Sequence, residues 1–246
     1  MGTPWFGSNV KMALDRSATA ELVECARSFS ERGPRVLVVS APFLAESVES
    51  ARGSALRIGA QGCSTELRGP FTGQVSAWDI AAVGCDFVMV GHAERIAAGE
   101  TLDDLAAQVR NARAAGLSVL LCVGELSESD DPTDVSDLDE QVTRAMDGVI
   151  GEGDILAYEP HWAIGENGRE PAVAYVATRV SRLKERVGSG CTVVYGGSVN
   201  PRNAGELANL CDGVFVGRSA WTPDGWRSIE RALTGSNHEM VGREKT

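Results

Sequence analysis

Glu159 stands in the stretch LAYEPHWAIGENGRE, where an apolar run gives way to a loop and Pro160, with its fixed φ and missing donor, ends the run. A partly desolvated carboxylate there gains the raised pKa that a general base needs, although position alone fits a loop carboxylate equally well. Glu125, after VLLCVG, poses the same alternative with less context. His92 ends the apolar run FVMVG and is followed by Glu94 and Arg95, which makes it a candidate for acid–base chemistry as well as for a structural imidazole. His161, near a strand end, and His238, in a polar tail, read as structural. Lys11 follows WFGSNV in a chain with 20 Arg and only three Lys, so a compact ammonium is favoured there over a bare positive charge.

The glycines indicate what these groups act on. YGGS at 195–198 and VGR at 216–218 end successive apolar runs, and glycine lets backbone amides approach an anion closely. A phosphate on a small substrate is the expected ligand. Neither GxGxxG nor GxxxxGK[ST] occurs, so no nucleotide cofactor is called for.

Eight short, β-branched runs must position these residues: 5–12, 35–42, 57–62, 87–92, 119–125, 155–162, 192–198 and 213–218. Between them lie amphipathic segments such as TAELVECARSFSER, TLDDLAAQVRNARAAG, DLDEQVTRAMDGVIG, VAYVATRVSRLKERVG and PDGWRSIERAL, several opening on Ser, Thr or Asp and closing on Gly. The segments after the second and third runs are shorter. Apolar strands joined by helical crossovers are parallel and buried on both faces. Eight such units in 246 residues predict an α/β single-domain (β/α)8 barrel over 1–246, with a mobile C-terminal tail from about 235. In that architecture reacting groups sit at the C-terminal strand ends, which here carry Asn9, Lys11, Pro42, Gln61, His92, Glu125 and Glu159.

A net charge of −11 disfavours nucleic acid and anionic membranes as partners, because both are steered by basic surface. The six scattered cysteines show no CxxC pair and no His at metal-ligand spacing, so no metal is expected and the thiols read as reduced and mostly buried. With no apolar leader and no membrane-length run, the expectation is a soluble cytoplasmic protein.

The segments SNVKM, AQGCSTELRGPFTGQVSA, VMVGHAER, LLCVGE, AYEPHWAIG and YGGSVNPRNAGEL, in order from about residue 5 to about 220, resemble the signature segments of triosephosphate isomerase. That resemblance implies an aldose–ketose isomerase without cofactor, working through a cis-enediolate. Glu159 would be the base moving a proton between C1 and C2, His92 a neutral electrophile, Lys11 the countercharge, and Asn9 a hydrogen-bond donor to substrate. Amides of Gly165, Ser198, Gly217 and Arg218 would cradle the phosphate. Pro160, His161 and Trp162 would form the first hinge of a water-excluding lid that continues through Ala163, Ile164, Glu166, Asn167 and Gly168. GPFTG resembles a loop that crosses a dimer interface, with Thr72 approaching the partner's site, so a homodimer is implied, and with it a glycolytic or gluconeogenic role.

The sequence also departs from the family pattern. Val10 replaces the usual Trp, Ala93 a common Ser, ENGRE a TGK-like hinge, and GRSAW a GGASL-like loop. ENG and GRSAW resemble a branch of the same family that isomerises erythrulose phosphates, and loss of Trp at position 10 could admit one more hydroxymethylene. Three readings therefore stand: interconversion of glyceraldehyde 3-phosphate and dihydroxyacetone phosphate, isomerisation of L-erythrulose 1-phosphate, and a non-catalytic barrel that binds a phosphometabolite.

Overall fold

The computed structural model describes residues 3–164, 168–188 and 190–242. Its strands are β1 (Trp5–Asn9), β2 (Arg35–Val39), β3 (Leu56–Ala60), β4 (Phe87–Val90), β5 (Ser118–Val123), β6 (Ile155–Tyr158), β7 (Thr192–Tyr195) and β8 (Gly213–Val216). All are parallel, each pairs with its sequence neighbour, and β8 pairs with β1 to close the barrel. The eight apolar runs are thus the eight strands, trimmed where their last residues turn into loops.

The helices between them are α1 (Arg16–Arg27), α2 (Leu44–Ala51), α3 (Ala77–Ala82), α4 (Ala93–Ala97), α5 (Leu102–Ala114), α6 (Ser136–Met146), α7 (Val173–Val187), α8 (Ala204–Leu210) and α9 (Pro223–Gly242). α1 begins earlier than its apolar spacing suggests, because the Asp15 carboxylate accepts the Ala18 N–H and caps it. Ser76 with Asp79 and Thr101 with Asp104 form reciprocal capping boxes at α3 and α5. α9 runs on through Gly242, past residue 235. At the N-terminal end of the barrel strands, Glu230 of α9 takes both Arg35 Nε and Nη2, at 2.6 and 2.9 Å, tying the last helix to the start of β2.

Alternation along each strand separates two apolar layers. Val36 and Val38, Phe87 and Met89, Leu120 and Cys122, Ile155 and Ala157 fill the barrel interior with Trp5, Val194 and Phe215. Their neighbours Leu37, Val88, Val90, Leu121, Val123, Leu156 and Tyr158 face the helices. This period of two decides which residue at each strand end reaches the substrate side.

Candidate active site

Continuing that alternation past β6 turns Glu159 inward, in phase with Ile155 and Ala157. Gly196, just beyond β7, leaves the space it needs, since a Cβ there would lie 2.7 Å from Glu159 Cγ. Past β1 the same parity turns Asn9 and Lys11 inward. Lys11 adopts φ +51, an uncommon backbone for a non-glycine residue. Its surroundings hold it there: the Lys11 N–H donates to Asn9 Oδ1 at 2.9 Å, while its carbonyl accepts from Gln61 Nε2 at 2.7 Å and Ser40 Oγ at 2.8 Å. For His92 parity alone points outward, with Val88 and Val90. Gly91, at φ +78, turns the chain, and a Cβ there would lie 2.8 Å from the Cys122 carbonyl oxygen. The turn brings His92 onto the barrel mouth as the N-cap of α4.

These residues converge on one cavity of about 240 Å³, lined by Asn9, Lys11, His92, Glu159, Ile164 and the turns Gly196–Val199 and Gly217–Ser219. His92 Nε2 lies 3.8 Å from Glu159 Oε2. His92 Nδ1 accepts the Glu94 N–H at 3.2 Å, so the neutral ring carries its proton on Nε2, toward the cavity. Burial, with the Lys11 charge assisting, holds the imidazole well below its usual range and keeps it neutral. Burial also pushes Glu159 up to about 8, against the opposing pull of Lys11. Glu159 Oε2 has no hydrogen-bond partner among the described residues. Lys11 itself is positioned by an ion pair with Glu94 at 2.7 Å. The result is a desolvated carboxylate, a neutral N–H donor and an ammonium around a single space, a set suited to moving a proton beside a carbonyl.

Glu125 belongs elsewhere. In phase with Leu121 and Val123, it faces the helices, where its Oε1 accepts from Tyr158 Oη at 2.9 Å, Tyr175 Oη at 2.9 Å and Trp162 Nε1 at 3.1 Å, and its Oε2 from Arg179 Nη2 at 3.2 Å. Its carbonyl also accepts the His161 N–H at 2.9 Å. Glu125 therefore anchors the segment after β6, in which Pro160 precedes a 3-10 turn over His161–Ala163 and Ile164 borders the cavity. His161 is part-buried in this structural setting and is not among the cavity residues. Gly165, Glu166 and Asn167 lie outside the described residues. From Gly168 the chain continues to Arg169, which stacks on Trp162 and pairs with Glu128, and to Glu170, which accepts from the Asn203 amide.

Ser198, Gly217 and Arg218 border the cavity at the two glycine-rich turns that follow β7 and β8. Thr72 is exposed in the loop after β3 and does not line the cavity. Val10 corrects one expectation. Strand parity turns it outward, where it is 1% exposed within the helix-facing layer, so its replacement of Trp opens no space beside the substrate. Two other contributions escape sequence reasoning. The donors Tyr175 and Arg179 come from a helix remote in sequence from Glu125, and Trp221, visible only as part of the altered GRSAW loop, lines the cavity and donates from Nε1 to the Asn9 carbonyl at 2.8 Å.

Comparison with known proteins agrees with this geometry. The family model for triosephosphate isomerase matches residues 4–233. The chain is 36% identical over 241 residues to an L-erythrulose-1-phosphate isomerase of Rhizobium etli, covering 92% of this chain and 90% of that protein. It is also 36% identical over 239 residues to a triosephosphate isomerase of Dinoroseobacter shibae, covering 92% and 96%. A crystal structure of triosephosphate isomerase from Bartonella henselae superposes with a TM-score of 0.77 at 28% identity, over 94% of this chain and 99% of that one. With the barrel, the three convergent side chains and a match over nearly its whole length, the chain belongs to the triosephosphate isomerase family.

Proposed function

We propose that this enzyme interconverts glyceraldehyde 3-phosphate and dihydroxyacetone phosphate. The observation that carries the reading is the convergence of Glu159, whose Oε2 has no partner among the described residues, neutral His92 and Lys11 on one cavity that also faces two glycine-rich turns. With the phosphate held at Gly196–Ser198 and Gly217–Ser219, the reacting carbons reach Glu159. Its carboxylate takes the C1 proton of the ketose and returns it to C2, while His92 Nε2–H donates to the carbonyl oxygen on which negative charge develops. Lys11 offsets that charge, and Asn9 orients the oxygen. The described part of the lid segment, Pro160–Ile164, brings Ile164 to the edge of the cavity.

The first relative described above acts, by its name, on L-erythrulose 1-phosphate, and the departures at ENGRE and GRSAW make that substrate the competing reading. Comparing kcat/KM for glyceraldehyde 3-phosphate and L-erythrulose 1-phosphate on one preparation decides between them. The three-carbon substrate is expected to win by a large ratio. Inactivity on both would replace catalysis with phosphometabolite binding. The enzyme would act as a cytoplasmic homodimer in sugar-phosphate metabolism. Support for the dimer comes from Leu67 and Phe71, flanking the Thr72 loop at 48% and 38% exposed, and from Met12 at 96%. Light scattering should give twice the 26.0 kDa chain mass, and a monomer mass would remove the assignment.

A further inference from the structure

Asn203 is not accounted for by the proton-transfer chemistry, and its side chain departs from what its position suggests. It stands at the N-cap of α8, where an asparagine ordinarily accepts from the first amides of its own helix, yet it makes no such bond. The side chain turns back instead onto the turn that follows β7. Its Oδ1 accepts the Asn200 N–H at 2.8 Å, while its Nδ2 donates to the Ser198 carbonyl at 3.0 Å and to Glu170 Oε1. One amide oxygen and two amide protons thus meet one donor and two acceptors, which fixes the orientation of the amide. The turn is also closed from within, since the Val199 N–H donates to the Gly197 carbonyl at 2.9 Å. Ser198 and Val199 line the cavity, whereas Asn203 and Glu170 do not, so the clamp grips the turn from outside it. Its outer half, Glu170, belongs to the altered ENGRE stretch and makes the bond charge-assisted.

We propose that Asn203 is a positioning residue for the substrate phosphate, which keeps the turn Gly196–Ser198 in the conformation that receives the anion, with Glu170 as its outer support. The inference rests on the phosphate placement proposed above. Backbone built on two consecutive glycines has many accessible conformations, and Gly196 and Gly197 give this turn that freedom. An anion site made from backbone binds well only when that backbone is fixed beforehand, because ordering it on binding costs affinity. Asn203 supplies the fixation through bonds to the backbone on either side of Val199. The effect is on the phosphate end of the substrate and leaves proton transfer to Glu159, His92 and Lys11.

The test compares the wild type, Asn203→Asp and Glu170→Ala, each checked for native fold by circular dichroism. Two quantities are read: the Kd of inorganic phosphate by phosphorus NMR titration, and kcat/KM for glyceraldehyde 3-phosphate and for phosphate-free glyceraldehyde. Asn203→Asp keeps the size of the side chain and the acceptor for Asn200, but turns a carboxylate oxygen toward the Ser198 carbonyl and Glu170. It should weaken phosphate binding about tenfold and lower kcat/KM for glyceraldehyde 3-phosphate about as much, with the rate on phosphate-free glyceraldehyde unchanged. Glu170→Ala, which leaves the bond from Asn203 to Ser198, should weaken phosphate by about threefold. A folded Asn203→Asp protein with wild-type phosphate affinity overturns the proposal, and so does an equal loss on both aldehydes, which marks a general structural role. Should Asn203→Asp fail to fold, an unchanged phosphate Kd in Glu170→Ala overturns it instead. A wild type that binds phosphate but is inactive on glyceraldehyde 3-phosphate overturns the three-carbon reading alone, and the phosphate Kd then decides this proposal. A wild type that binds no phosphate overturns the phosphate placement and this proposal with it.

Discussion

Glu125 and Glu159 end neighbouring strands, are 5% and 1% exposed, and are the same residue type, yet their surroundings are opposite. Glu125 receives four side-chain donors, including the Arg179 guanidinium, and every strong interaction available to a buried carboxylate is made. Glu159 leaves Oε2 without a hydrogen-bond partner among the described residues, and His92 Nε2 stands 3.8 Å from it. Burial pushes Glu159 up to about 8, because the charged form loses its hydration there. The two carboxylates thus differ in what is left over: Glu125 is fixed by four side-chain donors, while Glu159 keeps one oxygen without a partner among the described residues at the cavity.

The widest separation between the two sites is expected in catalysis. Glu159→Gln should lower kcat by about 10³-fold or more, with KM little changed, because it removes the proton acceptor and leaves the cavity intact. Steady-state kinetics check this, and a kcat near that of the wild type would assign the base elsewhere. Glu125→Ala should reverse the pattern. It leaves Arg179 without its buried carboxylate and three donors without their acceptor, at a cost of about 3–5 kcal/mol in denaturant unfolding. Its kcat per folded molecule should fall far less than that of Glu159→Gln.

A third comparison concerns stability against pH. The folded-state pKa of Glu159 lies above its ordinary value of 4.5, at about 8. Between those values the folded protein holds more protons than the unfolded chain, so the contribution of this group is fully present below about 4.5 and is lost as pH rises through about 8. Glu159→Gln, which never has to ionise, should therefore raise the thermal midpoint over that of the wild type, by about a few degrees at pH 9 and by less at pH 5. A Glu159→Gln midpoint that tracks the wild type at every pH would contradict the desolvated carboxylate. The smallest effect is expected from Tyr175→Phe, which removes one of the four donors to Glu125 and should cost about 1 kcal/mol of unfolding free energy. A larger loss would show that the network acts as a unit rather than bond by bond.

The period of two along the strands explains how much of this could be read in advance. Ile155 and Ala157 point into the barrel, so Glu159 does as well, while Leu121 and Val123 point out and carry Glu125 with them. Both facts are present in the alternation of ILAYE and LLCVGE, once the barrel is recognised and the inner face is known. What parity could not give is the site of His92, because Gly91 at φ +78 breaks the alternation just before it. Nor could it give the donors to Glu125. Tyr175 and Arg179 lie on α7, at positions that match the spacing of a helical core stripe and differ from it only in their polar ends. The loss of Trp at position 10 illustrates the opposite error: the sequence change is visible, but Val10 faces the helices, and Trp221 stands at the cavity in its place only because the loop after β8 folds back over β1. The short helices α3 and α4 escaped periodicity because each spans less than two turns, and caps rather than apolar spacing define them.

The most direct measurement of the central claim is isomerisation of glyceraldehyde 3-phosphate in D2O, followed by proton NMR for the wild type and Glu159→Gln. If Glu159 takes the proton from carbon and exchanges it with solvent before returning it, the wild type should form product carrying deuterium on the carbon that received the proton. Glu159→Gln should then form neither product nor exchanged substrate at a comparable rate. Product formed at an unchanged rate by Glu159→Gln, with deuterium still incorporated, would contradict the assignment of Glu159 as the base.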